Sequence, residues 1–331
     1  MKIKITDKST KKQLLDYQWP SAFIKNKKLS SHQPAIYQKK EIKNIENFFF
    51  RKFGYKTKLF PSARAAIAII LKFLKFDRSK EVFTDKWSSH CLFNTVGAHT
   101  NISTSFASPD LVICIHKWGE IKKIKVKKKF YIIEDSVDSL ILNKKSLFPN
   151  NGEFEIISLP KVIGSVAGGL VLSKNKKFLD FCTNEQKKNM RLGIYQSKEK
   201  FRNNSTNNYN TWLHFESWNT YTDSNSINNI KKCLKNYELN KDIIAQRLST
   251  IEKILKIKND FKNRLGPVLP IQITKIKNLK RLSKNFIVRH NSKNISKKEK
   301  FKKYLLLPLH FGINNKKFKD YLSLLKNNLR N

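Results

Sequence analysis

Ser158-Leu159-Pro160-Lys161-Val162-Ile163-Gly164-Ser165-Val166-Ala167-Gly168-Gly169 is the stretch on which the reading of this chain turns. The protein has only 10 glycines in 331 residues, yet Gly164, Gly168 and Gly169 fall within this run. Where glycine is so scarce, a cluster marks backbone that approaches something closely or takes a positive φ. Upstream, the apolar run Phe130-Tyr131-Ile132-Ile133 ends in Glu134-Asp135. An amine beside a tight glycine turn, with a carboxylate at the end of an earlier strand, is what an amine nucleophile needs to hold an aldehyde cofactor. On spacing alone, the plainer description weighs more: one lysine among 57, with glycines that merely turn a strand.

Working outward, 331 residues make one large domain or two ordinary ones, with room for a substantial core. A hydrophobic content of 40% and an aromatic content of 11% argue for a globular chain. No apolar run approaches the roughly 18 residues of a membrane span; the longest, near Ala65–Leu71, is flanked by Arg64 and Lys72. Met1 to Lys8 is charged throughout and lacks a secretory apolar core, so a cytoplasmic location is expected. Cys91, Cys114, Cys182 and Cys233 are scattered, as expected of buried small hydrophobes rather than a disulfide or metal framework. The 7 histidines show no metal-binding spacing, so no metal is expected.

The formal charge of +42 invites a nucleic-acid reading. It consists of 57 lysines against 10 arginines, spread in pairs and triplets over the whole chain. Bidentate recognition of phosphates and bases favours arginine, so nucleic-acid binding is not the favoured reading. A field this positive would still attract any polyanionic substrate, a nucleotide diphosphate included.

Apolar spacing over 41–53 predicts a helix ended by Gly54, and a second helix over Ala65–Phe76 is opened by Pro61-Ser62. Glu81–Thr84, Asp110–Ile115, Phe130–Ile133, Phe154–Ser158 and Gly169–Ser173 read as strands. They lack clean alternation, as strands covered on both faces do. Strands alternating with helices argue for a parallel α/β sheet, whose ligands sit at the carboxyl ends of strands, where Asp135 and Ser158 fall. Beyond residue 176 the pattern predicts helix over Lys176–Lys200, a polar loop at Asn203–Asn210 and a long helix over Asn228–Leu255. Strands at Pro267–Ile273 and Leu305–Leu309 and a helix from Asn315 to about Leu325 complete a smaller layer.

With these landmarks in place, the chain resembles the DegT/DnrJ/StrS aminotransferases, fold type I enzymes that use pyridoxal 5′-phosphate (PLP) on nucleotide-linked keto sugars. Five stretches carry the resemblance, in the family's order. Phe60-Pro61-Ser62-Ala63-Arg64-Ala65-Ala66-Ile67 is similar to its phosphate-binding S-G-[TR]-A-A-L helix start. Ile115-His116-Lys117-Trp118-Gly119 is similar to V-H-x-[YW]-G. Ile133-Glu134-Asp135-Ser136-Val137-Asp138-Ser139 is similar to I-E-D-A-A-Q-A. Ser158 to Lys161 with Gly168-Gly169 resembles the lysine segment, and Leu307-Pro308-Leu309-His310-Phe311-Gly312 resembles L-P-L-H-x-G.

The resemblance covers roughly residues 40 to 325 and implies a mostly parallel central sheet flanked by helices. It implies a large PLP-binding domain over 1–200, with an N-terminal helical arm, and a small C-terminal α/β domain over 201–331. It implies that Lys161 forms the Schiff base and shuttles a proton, and that Asp135 keeps the pyridine nitrogen protonated. Ser62 with the amides of Ala63 and Arg64 would cradle the phosphate. Ser158 would add a hydroxyl there or simply end a strand. His90, or else Trp87, would stack on the ring, while His116 and His310 are expected to be structural.

Departures are also expected to matter. Asp138 stands where the family has Gln or His facing the phenolic oxygen, and two carboxylates that close raise one pKa. Ala63 replaces a glycine. The family's G-Y-N motif, which reaches the phosphate from the other half of a dimer, is only faintly matched by Asn208-Tyr209-Asn210. The function implied is amino transfer from an amino acid, glutamate by analogy, to a nucleotide-sugar substrate for surface polysaccharide synthesis, by a homodimer. A catalytically silent scaffold or a polyanion-binding protein is the alternative.

Overall fold

The computed structural model describes residues 19–20, 39–124, 129–188, 220–255, 263–272, 274, 277, 287–292 and 301–329. Helix α1 (Lys39–Phe53) buries Ile42, Ile45, Phe49 and Phe53, the three- and four-residue spacing that one helix face requires. Gly54 follows at φ +69° and donates its N–H to the Phe50 carbonyl at 2.7 Å, closing the helix as a left-handed glycine does.

The chain then lays down β1 (Thr57–Phe60), α2 (Ala63–Phe73), β2 (Glu81–Phe83), α3 (His90–Gly97), β3 (Asn101–Ser103), β4 (Leu111–Ile115) and β5 (Tyr131–Asp135). After these come β6 (Leu140–Ile141), β7 (Phe154–Ser158), α4 (Leu159–Val162), β8 (Gly169–Ser173) and α5 (Lys176–Lys188). Seven of the strands form one sheet in the order β1-β8-β7-β5-β4-β2-β3. β8 is antiparallel to both neighbours, and every other pairing is parallel. The sheet is therefore mostly parallel, as expected, with one reversed strand.

Both faces are covered, which is why these strands read as unbroken apolar runs. Phe154, Ile156 and Val171 join Ala65, Ile69 and Phe178 in one core. Ile157, Leu170 and Leu172 face the other way, into a core with Phe49, Phe53, Tyr237 and the C-terminal elements.

The C-terminal part contributes α6 (Ser224–Cys233), α7 (Asn236–Leu255), β9 (Arg264–Leu265), β10 (Val268–Gln272), β11 (Ile287–Ser292), β12 (Phe301–Pro308) and α8 (Asn315–Lys326). β10, β12 and β11 make a small antiparallel sheet in that order, and β9 pairs with β6. The expected helix over Asn228–Leu255 is two helices, interrupted at Leu234-Lys235, where no glycine or proline stands. The expected helix over Lys176–Lys200 is seen to Lys188; its remainder, the Asn203–Asn210 loop and the boundary at residue 200 lie outside the described residues. Among the described residues no helix is long and apolar enough to cross a membrane.

Candidate active site

The register of the sheet brings the expected site residues to one edge. Gly169, at the start of β8, pairs with Phe60 at the end of β1 on one side and with Ser158 at the end of β7 on the other. Asp135 ends β5, the next strand along. The helix after β1 must therefore start beside the turn after β7, and glycine makes that contact possible. A Cβ at Gly169 would lie 2.3 Å from the Ala63 N and from the Ser62 carbonyl carbon. Gly168, at φ +117°, donates to the Pro61 carbonyl at 2.8 Å and accepts from the Leu159 N–H at 3.0 Å. The two glycines thus stitch the lysine segment to the start of α2.

At that start Ser62 is the N-cap, its Oγ accepting the Ala65 N–H at 3.2 Å. The first amides of a helix have no intrahelical acceptor and carry the positive end of the dipole, so they favour an anion. Arg64 is buried within α2. Ser158 is the N-cap of α4 and makes no side-chain capping bond, so its hydroxyl adds a second donor at the same edge.

Lys161 projects from α4, a single turn opened by Pro160. The turn is braced from behind: Asn240 Nδ2 donates to the Val162 carbonyl at 2.8 Å and Asn236 Nδ2 to the Ile163 carbonyl at 3.0 Å. Lys161 Nζ donates to Asp138 Oδ1 at 2.8 Å. Asp135 is only 5% exposed, and burial pushes its pKa up to about 6. The Val137 N–H, 3.1 Å from Oδ1, and the nearby Lys161 charge counter that rise, while Asp138 adds to it. The expected clash of two carboxylates is thus present as a minor effect, because Asp138 has the lysine for a partner.

The sequence reading missed Lys117. Burial holds its amine below the usual lysine range, opposed by attraction to Asp138, Asp85 and Asp135. Its Nζ donates to the Trp87 carbonyl at 3.3 Å. It sits in a turn where Trp118 has φ 54°. That turn is locked from outside, since a Cβ at Gly266 would lie 2.1 Å from the Trp118 oxygen. Trp87 is 39% exposed and tied to the site through Lys117. The side chain of His90, exposed at the first turn of α3, makes no hydrogen bond among the described residues.

Beneath the site, His116 Nε2 donates to Glu134 Oε2 at 2.9 Å and Nδ1 accepts the Lys122 N–H at 3.1 Å, which defines a neutral imidazole. Burial lowers its pKa to about 4. His116 is therefore a fixed strut. Cys114, His116 and Glu134 gather ligand atoms within 4.8 Å of one another. Asn150 Nδ2 bonds Cys114 Sγ at 3.3 Å and Glu134 Oε2 at 3.0 Å, so this trio is already engaged in hydrogen bonds.

A family model described as "Putative PLP-dependent aminotransferase" matches residues 45–329. The fold is similar to a "Putative sugar aminotransferase" from Streptococcus pneumoniae in its PMP form, with 12% identity, TM-score 0.60, and coverage of 89% of this chain and 91% of that one. It is similar to the aminotransferase TlmJ from Streptoalloteichus hindustanus, with 9% identity, TM-score 0.59, and coverage of 87% and 90%. A DegT DnrJ EryC1 StrS aminotransferase from Brucella abortus aligns with 10% identity, TM-score 0.59, and coverage of 88% and 91%. At such identities the likeness speaks for the fold. No curated protein sequence matches the chain.

Proposed function

Because the chain belongs to the PLP-dependent aminotransferase family, we propose that it moves an amino group from an amino acid, glutamate by family analogy, to a keto sugar carried on a nucleotide diphosphate. Likeness in fold to proteins described as sugar aminotransferases supports the substrate class, as does a formal charge of +42 that would draw in a diphosphate. Surface polysaccharide synthesis in the cytoplasm, by a homodimer with a large domain over 1–200 and a small one over 201–331, completes the proposal.

The observation that carries it is the amine of Lys161, close enough to the buried carboxyl of Asp135 to lower its pKa, at the sheet edge where α2 begins. These residues fit PLP. Asp135 is a buried acid that awaits a cation, Ser158 offers a hydroxyl, and the Gly169 contact leaves the α2 amides beside the lysine turn. When bound, PLP supplies an aldehyde and a ring that draws electrons from the carbon receiving or losing nitrogen. Asp135 holds the proton on the ring nitrogen. Ser62, the amides of Ala63 and Arg64, and Ser158 bind the phosphate. Asp138 Oδ1, which accepts a hydrogen bond from Lys161 Nζ at 2.8 Å, would hold that amine in place. Lys161 then moves a proton at the substrate carbon.

The test is an absorption spectrum of wild type and Lys161→Ala with added PLP, before and after borohydride. A reducible visible chromophore confined to wild type is the expected result. A colourless wild type sinks the proposal and leaves the silent scaffold.

A further inference from the structure

Lys161 has a second neighbour, and it comes from far away in the chain. Its Nζ lies 4.4 Å from the centre of the Trp19 ring. Pro20 is seated on the closing turn of the small unit: a Cβ at Gly312 would lie 3.1 Å from both the Cα and the O of Pro20. The bare glycine is thus the flat spot on which the Trp19-Pro20 step rests as it reaches the lysine. Trp19 Nε1 is buried and has no hydrogen-bond partner among the described residues. A buried indole N–H ordinarily finds an acceptor, and one left without calls for an explanation.

We propose that Trp19 is a ligand-binding residue of the active site: its ring covers the Lys161 amine, and its Nε1–H is held for an anionic oxygen of the substrate entering there. The inference rests on the aminotransferase reading above and adds to it a binding group at the mouth of the site. An indole can only donate, so its partner is an acceptor. The ammonium of Lys161 beside the ring favours a negatively charged acceptor. Two sources share that chemistry, the carboxylate of the amino acid and a phosphate of the nucleotide sugar. The two functions of the indole are also separable: the ring face attracts the ammonium and phenylalanine reproduces it, whereas the N–H has no counterpart in phenylalanine.

The experiment compares wild type with Trp19→Phe and with benzothienylalanine at position 19, which keeps the bicyclic outline and lacks only the N–H. Each PLP-loaded protein is titrated with glutarate, an unreactive dicarboxylate, and separately with uridine diphosphate, following the cofactor's absorption. PLP affinity and thermal midpoint are measured alongside. The expected result is loss of roughly tenfold in affinity for one of the two ligands, with PLP affinity and midpoint retained; the ligand affected identifies the source of the oxygen. Wild-type affinity for both ligands in the benzothienylalanine protein would overturn the proposal. So would a parallel loss of PLP affinity, both ligands and midpoint, which marks a merely structural indole. A wild type that never develops the chromophore would instead refute the aminotransferase reading, whatever position 19 does.

Discussion

Asp135→Asn should make the cofactor-free protein more stable at neutral pH while removing its use of PLP. The ordinary carboxyl value is 3.8, and burial lifts Asp135 to about 6. Each unit is worth about 1.4 kcal/mol, so ionising Asp135 in the folded state costs about 3 kcal/mol. The sign follows from proton binding. Between the two values the folded protein holds a proton that the unfolded chain has released, so stability falls as pH rises through this window. Below about pH 4 both states are protonated and the penalty vanishes. Asparagine keeps an oxygen for the Val137 N–H and never ionises. At about 2.1 cal/mol/K of unfolding entropy per residue, 3 kcal/mol corresponds to roughly 4 °C for 331 residues. Thermal midpoints of both proteins without PLP, from pH 4 to 8, give the curve. The gap should open from near zero to about 4 °C in favour of the variant. Added PLP should narrow it, because the ring cation suits only the carboxylate. A constant gap across this range, or a variant less stable at pH 8, would refute the assignment of Asp135 as a buried, desolvated acid.

Asp138→Asn removes the charge that adds to that rise, so the same window should move to lower pH yet stay above the ordinary carboxyl range, because burial is the larger cause; the same melting series reads it. Gly169→Ala should abolish tight PLP binding and destabilise by several kcal/mol, since the new methyl meets backbone atoms 2.3 Å away; a PLP titration and a urea melt measure both. Arg264→Met should cost about 3–5 kcal/mol by stranding Glu155, its fully buried ion-pair partner at 2.8 Å, and Glu155→Gln in the same chain should recover most of it in denaturant melts.

The strand positions of the sheet were readable because burial on both faces leaves unbroken apolar runs; Phe154–Ser158 and Gly169–Ser173 have the bounds expected. The short strands β1 and β3 were not, because Thr57-Lys58 in one and Asn101 and Ser103 in the other leave no apolar run. Direction was hidden as well: β8 is reversed although Gly169-Leu170-Val171-Leu172-Ser173 reads like the parallel strands of the sheet. Lys161 and Asp135 stand out in sequence because glycines and a strand end surround them, and Ser62 because it follows Pro61 at the opening of an apolar helix. Trp19 and Lys117 do not, since each depends on contacts with distant segments, Gly312 for one and Gly266 for the other. In a chain with 57 lysines, nothing local distinguishes number 117.

The same distant segments explain why the site needs both parts of the chain. Ser136, directly after Asp135, donates its Oγ–H to Glu155 Oε1 at 2.7 Å and accepts from Arg264 Nη1. Arg264 belongs to β9, bonds Glu155 at 2.8 Å, and is fully buried with it. Burial raises Glu155 to about 7, and the Arg264 charge resists that rise. The end of β5 is therefore oriented by a guanidinium from the C-terminal part. The neighbouring turn, with Trp118 in a left-handed conformation costing about 1–3 kcal/mol, is held by Gly266 two residues further on. Strain of that kind persists only where surrounding packing fixes it. Residues 264–266 thus orient Asp135 through Ser136 and Lys117 through Trp118. Without the C-terminal part, Asp135 and Lys117 would lose these supports, and the sheet face of Ile157, Leu170 and Leu172 would lose its cover.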